Sequence, residues 1–159
     1  MRVFKKSVLV ITISASLVVA TATVAQTAIT EKKAVYATEL RQSVFKLLGS
    51  NMGRLGAMAK GKIPIDVEVV RQNATRINQL SLMIADYTRT NTSRFTVKTK
   101  ALAEIWEDPE HFSKDIDKLT MASAALIVAA QSKDEGSIKK AIGSVGKTCG
   151  GCHDDFKKN

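Results

Sequence analysis

Residues 138–156 read IKKAIGSVGKTCGGCHDDF. Within them Ile138, Ile142, Val145, Cys149, Cys152 and Phe156 recur at steps of 4, 3, 4, 3 and 4. That spacing puts all six on one stripe of an α-helix. The stripe runs through Cys149 and Cys152, the two cysteines of the chain.

Outward from this segment the same period recurs. Phe112, Ile116, Leu119, Ser123, Leu126 and Ala130 repeat the steps, as do Arg41, Phe45, Leu48, Met52, Leu55 and Ala59. Between Asp66 and Tyr87 the pattern is looser, with Val70, Ile77, Leu80, Ile84 and Tyr87 sharing a face. Four helices are predicted: Thr30–Lys60, Asp66–Arg89, Pro109–Gln131 and Asp134–Lys157. Asp66 is a candidate N-cap, Pro109 suits a first helical turn, and Asp134-Glu135 puts negative charge where a helix dipole favours it. The connections are short, long and short, Thr90–Glu107 being the long one. The expected class is all-α, an antiparallel four-helix bundle whose cofactor lies in the core.

Cys149-Gly150-Gly151-Cys152-His153 is a C-x-x-C-H run, the attachment signature of c-type haem. Two thiols add across the haem vinyl groups and the adjacent imidazole takes the iron. On a helix, positions three and four apart leave one face, so the three side chains can meet one porphyrin. A redox disulfide or half of a zinc site would use the same cysteine pair. A zinc site lacks ligands here, because the other histidine, His111, stands alone in an acidic stretch and reads as a solvated helix residue. One covalent haem c is therefore expected, with His153 as axial ligand.

The N-terminus carries a second signal. Arg2, Lys5 and Lys6 precede an uncharged, small-residue core, and Thr23-Val24-Ala25 offers a cleavage site. Residues 1–25 read as a signal peptide and 26–159 as one domain, with export to the bacterial periplasm and no stable membrane anchor after cleavage. The mature chain would keep 21 basic and 15 acidic residues, a formal charge of +6. Those charges are dispersed along the sequence, which favours solvated faces over a binding patch. No nucleic-acid motif is present.

The chain resembles the cytochrome c′ family of class II c-type cytochromes. The resemblance rests on C-x-x-C-H near the C-terminus followed by Phe156-Lys157, on Arg41-Gln42-Ser43, on Leu55-Gly56-Ala57-Met58-Ala59-Lys60-Gly61, and on Glu104-Ile105-Trp106. It implies a four-helix bundle, commonly a homodimer, with high-spin five-coordinate haem that binds NO and CO and exchanges single electrons with periplasmic redox proteins. It implies also that Arg41 pairs with a haem propionate, that Gln42 lies at the haem edge, and that Leu102 lies on a connection passing it. Phe45 falls where relatives place a distal Leu or Met, and Lys157 where many have Arg.

A phenyl ring has no lone pair for iron, so Phe45 predicts an open sixth position behind an apolar screen. Met52, seven residues on and about 10.5 Å along the same face, reads as packing beside the haem. Gly49, Gly53 and Gly56 form a small-residue stripe, which suggests close approach of a neighbouring helix or a partner subunit. No acid–base residue is identifiable on the distal side, so an enzyme is not expected. A conventional low-spin electron carrier is the alternative.

Overall fold

A computed structural model describes residues 26–158; the expected signal peptide and its cleavage site lie outside the described residues. Four long helices form the body: α1 (Glu31–Ala59), α2 (Val67–Thr88), α4 (Pro109–Ser132) and α5 (Glu135–Phe156), with a single turn, α3 (Glu104–Glu107), before α4. Each predicted helix is present, with every end within one residue of its expected place. The displacements have a common cause, because the sequence signals mark caps rather than helical residues. Thr30, Asp66, Asp108 and Asp134 each accept from a backbone N–H three residues on, at Lys33, Val69, His111 and Ser137. Gly61, at φ 68°, closes α1, and Lys133 takes the left-handed conformation, at φ 58°, after α4.

The helices pack in a ring, α1 on α2, α2 on α4, α4 on α5 and α5 on α1. Short links between α1 and α2 and between α4 and α5 make those neighbours antiparallel. The predicted stripes face inward: Leu55, Val70, Ile77, Leu126, Ile138, Ile142 and Val145 are at most 1% exposed. Burial of each such side chain contributes roughly 1.5–3 kcal/mol. The α2–α4 contact carries a polar seam. Asn78 Nδ2 donates to the Thr120 carbonyl (2.9 Å) and to Ser123 Oγ (3.1 Å), and Ser81 Oγ lies 2.8 Å from Thr120 Oγ1.

Two features were not expected from the sequence. Gln26–Thr27 (β1) pairs in parallel with Thr90–Asn91 (β2), and Ala28 N–H donates to the Asn91 carbonyl at 3.0 Å. Two-residue strands are too short to show alternation. The long connection is also stitched to the end of α5. Ala101 bridges Lys157, Leu102 N–H donates to the Phe156 carbonyl (3.0 Å), and Lys158 N–H donates to the Lys100 carbonyl (2.8 Å).

Candidate haem site

A cavity of about 1040 Å³ opens between α1 and α5, walled at one end by residues 99–101 and floored by Ile77, Ile84, Phe112 and Leu119 from the other helices. Its size follows from what α1 and α5 lack. Gly49, Gly53 and Gly56 on α1 and Gly143 and Gly146 on α5 line it. A Cβ on Gly49, Gly53, Gly56 or Gly143 would meet nothing within 4 Å. The glycine stripe therefore faces the cavity and no helix of this chain abuts it, which corrects the expectation of a neighbouring helix. A flat macrocycle needs this kind of cradle, where side chains are withheld from both walls.

Cys149, Cys152 and His153 line the cavity from α5, near the end stitched to the connection. Both thiols are free and half-buried. Burial pushes both thiols up; that of Cys152 reaches about 12, with the negative charges of Asp115, Cys149 and Asp155 adding to burial. His153 goes the other way, lowered first by partial burial and then by the Lys157 ammonium. The neutral imidazole so favoured is the form that ligates iron.

Arg41 faces the cavity from α1 and is 2% exposed. Its Nη2 lies 3.3–3.4 Å from the hydroxyls of Thr38, Thr92 and Thr99. Its Nη1 is buried with no partner. Burial lowers its pKa, yet a guanidinium stays charged in proteins. A buried cation with an unused donor is costly unless an anion meets it. The haem propionates are such anions, so this orphaned nitrogen, the glycine-lined walls and the paired thiols fit haem c.

The remaining expected residues are placed as follows. Gln42 lines the cavity and donates from Nε2 to the Lys98 carbonyl at 2.8 Å. Phe45 is half-buried on the α1 wall. Met52 lines the same wall and reaches towards α5, its Cε 3.6 Å from where a Cβ of Gly146 would stand. Leu102 is not among the lining residues; Thr99, Lys100 and Ala101 are. Leu102 is held beside the end of α5 by its backbone, its N–H donating to the Phe156 carbonyl. His111 is not simply solvated. Its ring meets Phe156 edge-on at 5.1 Å, with Nε2 3.5 Å from Asp155 Oδ2 and Nδ1 3.8 Å from Asp108 Oδ2.

Sequence reasoning missed four contributors. Asp115, 6% exposed, lines the cavity and pairs through Oδ1 with Lys118 Nζ at 2.7 Å. Its place on the buried face of α4, one residue from the Phe112–Ile116–Leu119 stripe, was the available signal. Thr92 and Thr99 lie in the irregular connection, where no periodicity marks them. Trp106 lies over Arg41, 5.2 Å from Cζ to ring centre, and donates from Nε1 to the Thr88 carbonyl at 2.7 Å.

A family model described as cytochrome C′ matches residues 36–157. The cytochrome c′ of Rubrivivax gelatinosus is 36% identical over 122 residues, covering 77% of this chain and 94% of that protein. The solved cytochrome c prime of Shewanella frigidimarina superposes with a TM-score of 0.72 at 37% identity, over 79% of this chain and 97% of the other. A mutant cytochrome c prime from Alcaligenes xylosoxidans, solved as its nitric oxide complex, gives a TM-score of 0.71 at 28% identity, over 79% and 96% of the two chains.

Proposed function

The chain belongs to the cytochrome c′ family and carries haem c, and from that membership we propose that it is an exported protein with five-coordinate, high-spin haem that binds NO and CO and undergoes one-electron redox. Haem supplies the iron that holds gas and electron. The chain's residues attach, orient and screen it. Cys149 and Cys152 would hold it, each thiol supplying the sulfur and hydrogen that add across one vinyl group. His153 would supply an imidazole nitrogen to the iron. Arg41 offers Nη1 to a propionate, with Trp106 and three hydroxyls holding the guanidinium, and Gln42 packs at the haem edge.

One observation carries the gas-binding reading. Phe45, a side chain without a lone pair, lines the α1 wall of the cavity whose α5 wall bears the haem-attachment motif. Such a face leaves a coordination position open while screening it, and it offers no donor to bound O₂, whose negative charge needs one more than NO or CO does. The nitric oxide complex of the Alcaligenes xylosoxidans relative is consistent with that behaviour. The absorption spectrum of the reduced holoprotein with and without CO tests it. A high-spin spectrum that shifts with CO is expected; a sharp low-spin spectrum indifferent to CO overturns it.

That low-spin outcome would fit a conventional electron carrier, favoured by one observation: the thioether of Met52 also lines the cavity. Export to the periplasm belongs to the same proposal. No helix among the described residues is long and apolar enough to cross a membrane. A homodimer is supported by Tyr36 and Leu47, 62% and 52% exposed and three turns apart on one face of α1. Light scattering of the purified holoprotein tests it, one chain mass per particle being the contrary result.

A further inference from the structure

Charge is not dispersed at the cavity. Lys46 and Lys60 from α1 and its cap, Lys62 from the following turn, Lys100 from the long connection and Lys157 from the cap of α5 all line it and are all exposed. Of the 15 acidic residues in the chain only Asp115 lines it, and that carboxylate is already paired with Lys118. The lysines come from segments far apart in sequence, which is why no charge run marks them in the chain. The fold gathers them around one opening.

Two haem propionates would neutralise two positive charges, and buried Arg41 stands ready for one of them. A surplus of exposed ammonium groups remains around the mouth. From this we infer that the cavity mouth is the docking surface for an acidic one-electron partner protein, which the lysine collar steers onto the haem edge. The inference rests on the redox reading above and names the surface and partner chemistry for it.

A collar of one sign around a low-dielectric opening focuses its field outward, and complementary charge raises association rates and fixes orientation more than it adds contact energy. The lysines surround a recess between two helices. Haem held in that recess would bring its edge among the lysines, where a one-electron partner must approach and where a lipid surface would exchange nothing.

The test uses holoprotein and flavodoxin as a generic acidic one-electron partner, with affinity measured by calorimetry at low and at 0.3 M ionic strength. Two double variants carry the same change in net charge: Lys46→Glu with Lys100→Glu at the mouth, and Lys32→Glu with Lys140→Glu outside it. The mouth variant should weaken binding at least tenfold at low salt and flatten its salt dependence, with the outside variant within twofold of the parent. Equal losses in both variants would mean that net charge alone matters and would overturn the inference, as would no loss in either. Vesicles of phosphatidylglycerol in phosphatidylcholine form the other arm. Sedimentation with them that depends on the mouth lysines, with flavodoxin binding unaffected, would assign the collar to a membrane and overturn the inference too. Every sample is first checked for the CO-sensitive spectrum and reversible reduction, so that failure of the haem reading is told apart from failure of docking.

Discussion

The guanidinium carbon of Arg41 lies 5.2 Å from the centre of the Trp106 ring, and the indole N–H of Trp106 is fixed on the last turn of α2 through the Thr88 carbonyl. A cation over an aromatic face gains about 0.5–2 kcal/mol, the larger figure when desolvated. Here it is desolvated. The pair holds a buried positive charge at the cavity wall with one nitrogen unused, a position set by three segments: α1, the end of α2 and α3.

Replacement of Arg41 by Leu removes that charge. The apoprotein should keep its fold, because removing the unpaired buried Nη1 with its charge offsets loss of the Trp106 and threonine contacts. The holoprotein should become harder to reduce, since adding an electron beside a positive charge is favourable. A threefold shift in the redox equilibrium, about 30 mV lower at 59 mV per tenfold, is the expected minimum by spectroelectrochemistry. Trp106→Leu should lower the potential by less and in the same direction; an unchanged potential with reduced stability would leave Trp106 a packing residue only.

Phe45 should govern what reaches the iron. Phe45→Ala should speed CO association at least tenfold in flash photolysis by unblocking the α1 side. Phe45→Met offers a thioether from the same wall and should produce a low-spin, CO-resistant spectrum. Neither change should alter attachment, which depends on Cys149, Cys152 and the loading machinery.

The thiols give a pH prediction on the apoprotein. With the Cys152 thiol pushed up to about 12 by burial, its thiolate is scarce at pH 8 compared with that of an exposed thiol. Iodoacetamide should therefore label Cys152 slowly in the folded apoprotein and quickly in urea, as followed by mass spectrometry. Because the shift is upward, raising the pH from 7 to 8 should not close that gap, as both rates rise in parallel below the unfolded thiol's own pKa.

Asp108 caps α4 by accepting from His111 N–H at 3.1 Å, and its other oxygen faces the His111 ring. Asp108→Ala should cost about 1 kcal/mol in urea denaturation. Asp66→Ala, at the start of α2, should cost a similar amount and leave the haem spectrum unchanged.

Much of this architecture is legible in the sequence, and for a definite reason. Heptad-like steps through Ile138–Phe156, Phe112–Ala130 and Arg41–Ala59 fix which faces are buried, and Asp66, Pro109 and Asp134 mark where helices begin. The C-x-x-C-H run names the cofactor by itself. Illegible features depend on segments that meet only in space. Thr92 and Thr99 reach Arg41 from a connection without periodicity, and Trp106 covers it from a single helical turn. Leu102 was placed by likeness to other chains, and the residues of that connection that line the cavity are Thr99, Lys100 and Ala101 just before it. The glycine stripe was read as a contact because small residues on a helix commonly mean one. Its opening onto a cavity depends on where α5 lies, which a single helix does not reveal.

The Asn78–Ser81–Thr120–Ser123 cluster divides the molecule into two mechanical halves. Sliding α2 along α4 by a turn would strand several buried donors and acceptors at once, so that pair behaves as a spine with a fixed register. Across the glycine-walled cleft, α1 and α5 have no such latch. When a gas binds or the iron changes charge, displacement should fall on those two helices, and amide hydrogen exchange should quicken there while the spine keeps its protection.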